Sequence, residues 1–377
     1  MLIPIVLAAA FMNAAMIAAS AVSTILISDR LTPALAGLPN TAGVLGTAAG
    51  ALAVGRWTAR LGRAQALRIG YGVAVAGGAL TVITAVGAPV PPLFVGMFLI
   101  GVGNAAALLS RYAAADAVPV SRRASAMSAV VWAGTVGAAG GPFLMAPSQS
   151  FAVWVGLPAL SGPFLLALAA VFSALLASTH IRAVQPTDER LLDHRGQSHA
   201  SRRTSVALAA GVMVAGQLVM VALMSAVPVH THHLGDGLGL LGVMLSAHTL
   251  GMFALSPLTG WWIDRSGSRS VVLTGLALLL VAGVLSTQSG LVFALALFLL
   301  GYAWNLCYLG GSAQLRTADL ESKVESVIWG ASALATASSP WLYTVGGFPL
   351  LTVVSAALAV PLLVLAVRRI SPQVARR

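Results

Sequence analysis

The chain has 377 residues, 58% of them hydrophobic and only 8% charged, with a mean hydropathy of +0.91. A water-soluble domain carries roughly 25% charged residues, so this composition excludes a soluble enzyme or binding module and belongs in lipid. The net charge of +11 would suit a nucleic-acid binder, but the positive residues are confined to the breaks between apolar runs and their edges, which excludes one.

A helix needs about 20 mostly apolar residues to cross a bilayer core about 30 Å thick, and its backbone must satisfy its own hydrogen bonds there. By that measure the sequence predicts twelve spans, at 3–27, 34–54, 69–88, 92–113, 125–146, 160–182, 205–228, 238–258, 271–287, 290–312, 326–345 and 348–367. The first lacks a basic start and is longer than a signal-peptide core, so it reads as a span. With an even number of spans and an inside N-terminus, 20 of the 21 Lys and Arg residues fall at the cytoplasmic side, and only Arg30 falls outside. That asymmetry predicts a multi-pass cell-membrane protein (in a bacterium, the inner membrane) with both termini cytoplasmic and its basic face toward anionic headgroups.

Between the sixth and seventh spans lies a polar, Pro- and Gly-containing stretch with Asp188, Glu189, Asp193 and the pair Arg202-Arg203. It divides the chain into an N-terminal six-helix bundle (1–182), a cytoplasmic linker (183–204), a C-terminal six-helix bundle (205–367) and a basic cytoplasmic tail (368–377). The halves echo each other. Gly55-Arg-Trp-Thr-Ala-Arg-Leu-Gly-Arg63 follows span two, and Gly260-Trp-Trp-Ile-Asp-Arg-Ser-Gly-Ser-Arg269 follows span eight, 205 residues later. Phe98-Leu-Ile-Gly101 in span four returns as Phe298-Leu-Leu-Gly301 in span ten, 200 residues later.

These turns carry a resemblance. The whole chain resembles a twelve-span permease of the major facilitator superfamily, whose loop after spans two and eight reads Gly-x-x-x-Asp-Arg-x-Gly-Arg-Arg. Gly260, Asp264, Arg265, Gly267 and Arg269 match the second copy, with Ser268 in place of one basic residue. Gly55, Arg60, Gly62 and Arg63 match the first, but Ala59 stands where the family has its acid. The resemblance implies an all-α membrane fold of two pseudo-symmetric six-helix bundles, and turns that latch the cytoplasmic side shut. On that expectation Asp264 contacts the start of span five near Ser125 or Ala126, Asp116 partners Arg60 or Arg63, and Asp319 and Glu321 serve Arg265 and Arg269. Span five adds Gly137-x-x-x-Gly141-Pro142, a partial match to the family's exporter motif, because Met145-Ala146 replaces its closing glycines. Small residues at this spacing also serve plain helix packing.

Coupling is harder to place. All ten acids map to loops or span ends, and Met97 stands where many proton-coupled relatives carry an arginine in span four. His248 in span eight is the one ionisable group expected at midplane depth; its unperturbed pKa of about 6.5 suits proton exchange, and a neutral helix-bridging role remains equally open. Asn13, Asn104, Gln217, Trp304, Asn305, Tyr308 and Trp329 are the polar and aromatic residues expected to line a cavity or bond neighbouring helices. Ser20, Ser23 and Thr24 add hydroxyls to span one, and the lone Cys307 reads as packing. His230, His232 and His233, with Asp236, could offer at most a weak metal site on a loop, so the expectation is no metal and no cofactor.

The function these features predict is secondary transport of a small, amphipathic solute by alternating access, as a proton-driven efflux antiporter acting as a monomer. Uptake or uniport without protons stays open, as does a non-transporting sensor on the same fold, although the chain shows neither an added soluble domain nor a long tail. No phosphate-cradling Gly-x-x-x-x-Gly-Lys-Ser/Thr loop and no nucleophile–base pair appears, so neither an ATPase nor an enzyme is expected.

Overall fold

The computed structural model describes residues 2–32, 35–182, 199–233, 238–315 and 317–368, with side chains described throughout except at 138–142, 199–204, 228–233, 238–243 and 340. The described residues form α-helices and no strand: α1 (Leu2–Arg30), α2 (Leu38–Leu61), α3 (Arg63–Val86), α4 (Pro91–Asp116), α5 (Arg123–Trp154), α6 (Ser161–Thr179), α7 (His199–His233), α8 (Leu238–Phe253), α9 (Ser256–Ser266), α10 (Ser268–Leu285), α11 (Gly290–Ser312) and α12 (Ala318–Arg368). A short 3-10 turn at Val120–Arg122 leads into α5.

Eight of these are long and apolar enough to span a membrane unaided. The expected spans and the helices do not map one to one. Span eight is two helices: α8 and α9 have 16 and 11 residues, and Pro257 in the first turn of α9 marks the break. Proline lacks an N–H and pushes the residue before it out of helical geometry, so a helix restarts there more readily than it continues. Spans eleven and twelve form one long element, α12, interrupted at Gly346 and Gly347.

Other boundaries move. α7 begins at His199, inside the stretch read as linker, and continues through His233, so the histidine tract is a helix end rather than a loop. The side chains of His230, His232 and His233, the residue Asp236, the linker at 183–198 and the tail at 369–377 lie outside the described residues.

Two compact units can be distinguished. Unit 1 is Met1–Val118, Ala129–Val184 and Thr317–Gly330; unit 2 is Pro119–Ser128, Gln185–Arg316 and Ala331–Arg377. Each unit thus takes in a short segment from the opposite half of the sequence: the start of α12 in unit 1, the start of α5 in unit 2.

Within unit 1, α4 is the central helix, lying against α1, α2 and α3, with α6 against α1 and α3. Within unit 2, α11 takes the same part, lying against α7, α8, α9 and α10. The Phe-Leu-x-Gly repeat explains the likeness. A side chain on Gly46 would collide with the carbonyl of Phe98, and one on Gly101 with that of Gly43; 205 and 200 residues on, Gly251 and Gly301 stand in the same relation to Phe298 and His248. Only glycine lets these backbones approach so closely, which is how helices associate where lipid removes the hydrophobic drive.

Candidate functional site

The two glycine turns have the same local geometry. Gly62 ends α2 with φ 82 and ψ 158, and Gly267 ends α9 with φ 81 and ψ 159. The N–H of Gly62 donates to the Thr58 carbonyl at 3.0 Å and that of Gly267 to the Ile263 carbonyl at 2.8 Å. This backbone region is open essentially to glycine alone, so both chains turn sharply and begin the next helix at once.

In unit 2, the turn holds the start of α5. Asp264 accepts the backbone N–H of Ala124 and of Ser125, each at 2.9 Å, and the Ser125 hydroxyl at 2.6 Å. The first N–H groups of a helix have no partner within it, and its dipole favours an anion there, so one carboxylate meets both needs. Gly260 allows the approach, since a side chain there would meet Ser128 and the Ala124 carbonyl. The exposed Arg265 lies over the Trp261 ring at 5.8 Å, and Arg269 donates to the Ala366 carbonyl near the end of α12 at 3.0 Å. The acids expected to serve these arginines, Asp319 and Glu321, are engaged within unit 1, where Asp319 bonds Lys323 at 2.8 Å and Glu321 meets Arg63.

In unit 1, the turn holds the start of α12 with charges of the opposite arrangement. Gly55 faces Ser322, as Gly260 faces Ser128. With Ala59 in place of the acid, Arg63 does the bridging: its Nε lies 3.1 Å from Asp116, at the end of α4, and a terminal nitrogen lies 2.8 Å from Glu321. Burial pushes the Glu321 carboxyl above the usual carboxylate range, against the pull of the Arg63 guanidinium. Arg60 is exposed, so Arg63 and not Arg60 is the partner of Asp116.

A second pair lies deeper. Arg111 and Glu325 form an ion pair at 2.7 Å with side chains 1% and 0% exposed. Arg111 also donates to the Leu108 carbonyl at 2.6 Å and the Tyr112 hydroxyl at 2.9 Å, while Trp329 donates its indole N–H to Glu325 at 3.2 Å. Both Arg111 and Arg63 lie over the Tyr112 ring, at 4.4 and 5.9 Å. These contacts give Trp329 a place in this cluster.

The remaining midspan candidates separate by unit. In unit 2, Trp304 donates to Gln217 at 2.6 Å, Gln217 donates to Ser332 at 2.7 Å, and Trp304 stacks on Tyr308 with ring centres 4.7 Å apart. Asn305 bridges α11 to α8 and α9: it donates to the Met252 carbonyl and the Ser256 hydroxyl, each at 2.7 Å, and accepts from Thr259 at 2.8 Å. His248 is buried between α8 and α11, with Nδ1 3.0 Å from the Leu297 carbonyl; that ring nitrogen therefore carries the proton it donates. In unit 1, Asn104 donates to Thr47 at 3.3 Å, and Asn13 donates to Ala9 within its own helix at 3.3 Å. Ser20, Ser23 and Thr24 gather around Asn40, which accepts from Ser20 at 2.8 Å.

Residues 5–223 match the family model described as Major Facilitator Superfamily. The chain belongs to that superfamily.

Its membership makes it a membrane transport protein. It is 34% identical over 300 residues to the uncharacterized MFS-type transporter YdeG of Bacillus subtilis (strain 168), covering 75% of this chain and 69% of that one. It is 31% identical over 312 residues to the riboflavin transporter RfnT of Brucella anthropi, covering 77% and 74%. Among solved structures, the human organic anion transporter MFSD10 superposes with a TM-score of 0.75 at 18% identity, covering 96% of this chain and 98% of that one. The fold is therefore the all-α, two-bundle, twelve-span superfamily fold.

Of the helix-packing residues, Gly137 lies against Asn13 and Ala14 of α1, where a side chain would collide with the Ala14 N–H at 2.7 Å. The side chains at Gly141 and Pro142 lie outside the described residues. Sequence reasoning missed three residues. Arg111 passed as a span-edge basic residue and Glu325 as a span-end acid; no local pattern joins two charges 214 positions apart. Arg68 was also passed over. It donates to the carbonyls of Ser178, Thr179 and Ile181 at 3.2, 2.9 and 2.9 Å and so closes the end of α6, as Arg269 closes α12. The matching signal was available: each is an arginine in the first turns of the helix after a glycine turn.

Proposed function

We propose that this protein is a secondary transporter that moves a small amphipathic solute out of the cell, in exchange for protons, by alternating access. The bundles 1–182 and 205–367 are its moving bodies, both termini face the cytoplasm as the Lys and Arg distribution implies, and the protein works as a monomer. The observation that carries the reading is the reciprocal exchange of segments: Asp264 holds the start of α5 in unit 2, and Arg63 and Arg111 hold the start of α12 in unit 1. Such contacts are polar, few and reversible, which suits a cytoplasmic gate that must open once per cycle. On this reading Gly55, Gly62, Arg63, Asp116, Gly260, Asp264 and Gly267 form the gate, and Gln217, Trp304, Tyr308, Asn305, Asn104, Asn13 and His248 line or brace the solute path.

The likeness to a riboflavin transporter makes a planar, amphipathic heterocycle the first solute to try. Purified protein in liposomes containing a pH-sensitive dye, exposed to riboflavin and then to a panel of amphipathic cations and anions, tests the reading. Solute-induced proton movement opposite to solute flux is expected. Downhill flux of a solute with no proton movement would replace antiport by uniport, and co-directional movement would replace efflux by symport. Tight binding of a solute without flux would favour a sensor.

A further inference from the structure

The charges of this chain keep to the ends of its helices. Among the described residues no Asp, Glu, Lys or Arg lies more than about two turns inside a helix. The two most enclosed, Arg111 and Glu325, face each other at 2.7 Å, with side chains 1% and 0% exposed. The polar groups farther in are amides, an indole, a phenol and hydroxyls. In unit 1 they include Asn13 and Asn104, and in unit 2 Gln217, Trp304, Asn305 and Tyr308. Their partners are neutral as well: the Gln217 amide accepts the Trp304 N–H at 2.6 Å and donates to the Ser332 hydroxyl at 2.7 Å. His248 gives its Nδ1–H to the Leu297 carbonyl and stays within the seam between α8 and α11.

We infer that the solute this protein moves carries no net charge. The inference names the substrate class of the proposed transporter and rests on that reading. A charge brought from water to midspan depth is costly unless an opposite charge meets it there, and these groups offer dipoles only. The α8–α9 break adds no strong field, because the negative end of the α8 dipole adjoins the positive start of α9 and the two offset. Aromatic faces attract cations, but Trp304 and Tyr308 stack on each other with ring centres 4.7 Å apart, and Phe253 meets Trp304 edge-on at 6.1 Å. Much of that surface is therefore already covered.

An uncharged planar ring with carbonyl and N–H groups meets no such penalty. The amides of Asn13 and Gln217 each hold a donor and an acceptor, so one neutral partner can replace another without stranding a charge. A second consequence concerns coupling. A proton exchanged against an uncharged solute crosses with no compensating charge, so the exchange responds to the membrane potential.

The test uses the full chain in liposomes and flavins that share a ring and differ in charge. Riboflavin is the uncharged member, flavin mononucleotide the anion, and a flavin with an aminoalkyl chain in place of the ribityl chain the cation. Uridine and uridine monophosphate form a second set. In each set the uncharged compound is expected to cross about tenfold or more faster than its charged partners. A charged member carried at a comparable rate overturns the inference and leaves transport standing. A panel in which nothing moves overturns the transport reading and the inference with it. Gln217→Glu keeps the size of the side chain and an acceptor for Trp304 while adding a carboxylate, so it should gain flux of the aminoalkyl flavin. Gln217→Leu, which adds no charge, should not. A folded Gln217→Glu protein that still excludes the cation would overturn the assignment of this selectivity to a missing counter-charge. Under an imposed potassium diffusion potential, riboflavin-driven proton movement should change rate severalfold. Riboflavin flux that ignores both the potential and protons would overturn antiport alone and leave the uncharged solute in place.

Discussion

The two glycine turns adopt one backbone and use opposite electrostatics. In unit 2 an acid on the turn, Asp264, meets the bare N–H groups of α5. In unit 1 the turn has Ala59 there, and the acids sit on the helix being held, where Arg63 and Arg111 reach Glu321 and Glu325. The reason is visible in the first turn of α12, which already carries Asp319 and Glu321. Acids near a helix start satisfy its dipole from within, so a further acid from the turn would meet like charge, and the attraction has to come from arginine instead. Missing its family acid, the first turn is therefore not a weakened copy of the second. It is the same clamp with its sign inverted.

The sharpest way to break the comparison is Arg111→Ala. It leaves Glu325 buried without its cation, and the expected loss is about 3–5 kcal/mol of stability, read from thermal or denaturant unfolding in detergent. Arg111→Met with Glu325→Leu should recover most of that loss. A double variant as unstable as the single would mean that the loss comes from packing at this place and not from an uncompensated charge. Next come Gly62→Ala and Gly267→Ala, each expected to cost about 1–3 kcal/mol because a side chain is strained at these backbone angles whatever surrounds it. Near-equal losses by the same measurement would sharpen the claim that the backbone is shared and only the charges differ.

Much of this was legible in the residues. Composition placed the chain in lipid, and the Phe-Leu-x-Gly repeat, a weak match as text, turns out to mark where α4 meets α2 and α11 meets α8 through glycine. The turn motif located Asp264 to within a residue of its partners, because a helix start offers only a few N–H groups. Three kinds of feature were not legible. Pro257 splits span eight, yet apolarity continues across the break, and the hydropathy that defines a span is blind to it. The extension of α7 to His233 could not be read, since polar residues at a helix end resemble a loop. Most of all, the partnership of Arg111 with Glu325 is tertiary: each lies within a few residues of a helix end, where charge is ordinary, and only the approach of α12 to α4 buries both. His248 shows the converse. Its repeat partner is Gly43, so the imidazole is an addition to a packed seam, and its bond to Leu297 accounts for one nitrogen by helix bridging alone.

Two smaller changes probe the inversion directly. Asp264→Ala removes three hydrogen bonds at the start of α5, and the helix-capping scale puts the expected cost to the closed gate at about 1–2 kcal/mol. The measure is faster labelling of a cysteine placed at Ser128, which faces Gly260. An unchanged labelling rate would remove Asp264 from the gate. The smallest effect, and the one that decides the electrostatic argument, belongs to Ala59→Asp. If the first turn were a damaged copy of the second, restoring the family acid should tighten it, and a cysteine at Ser322 should label more slowly. The first turn of α12 argues for the reverse. The new carboxylate would add like charge near a helix start that already carries Asp319 and Glu321 and would compete with Glu321 and Asp116 for Arg63, so labelling should stay the same or quicken, by no more than about 1 kcal/mol because position 59 is exposed. Added salt should erase the difference, since repulsion between exposed charges is screened within about 8–10 Å at physiological ionic strength. Slower labelling would mean that the two clamps obey one electrostatic rule after all.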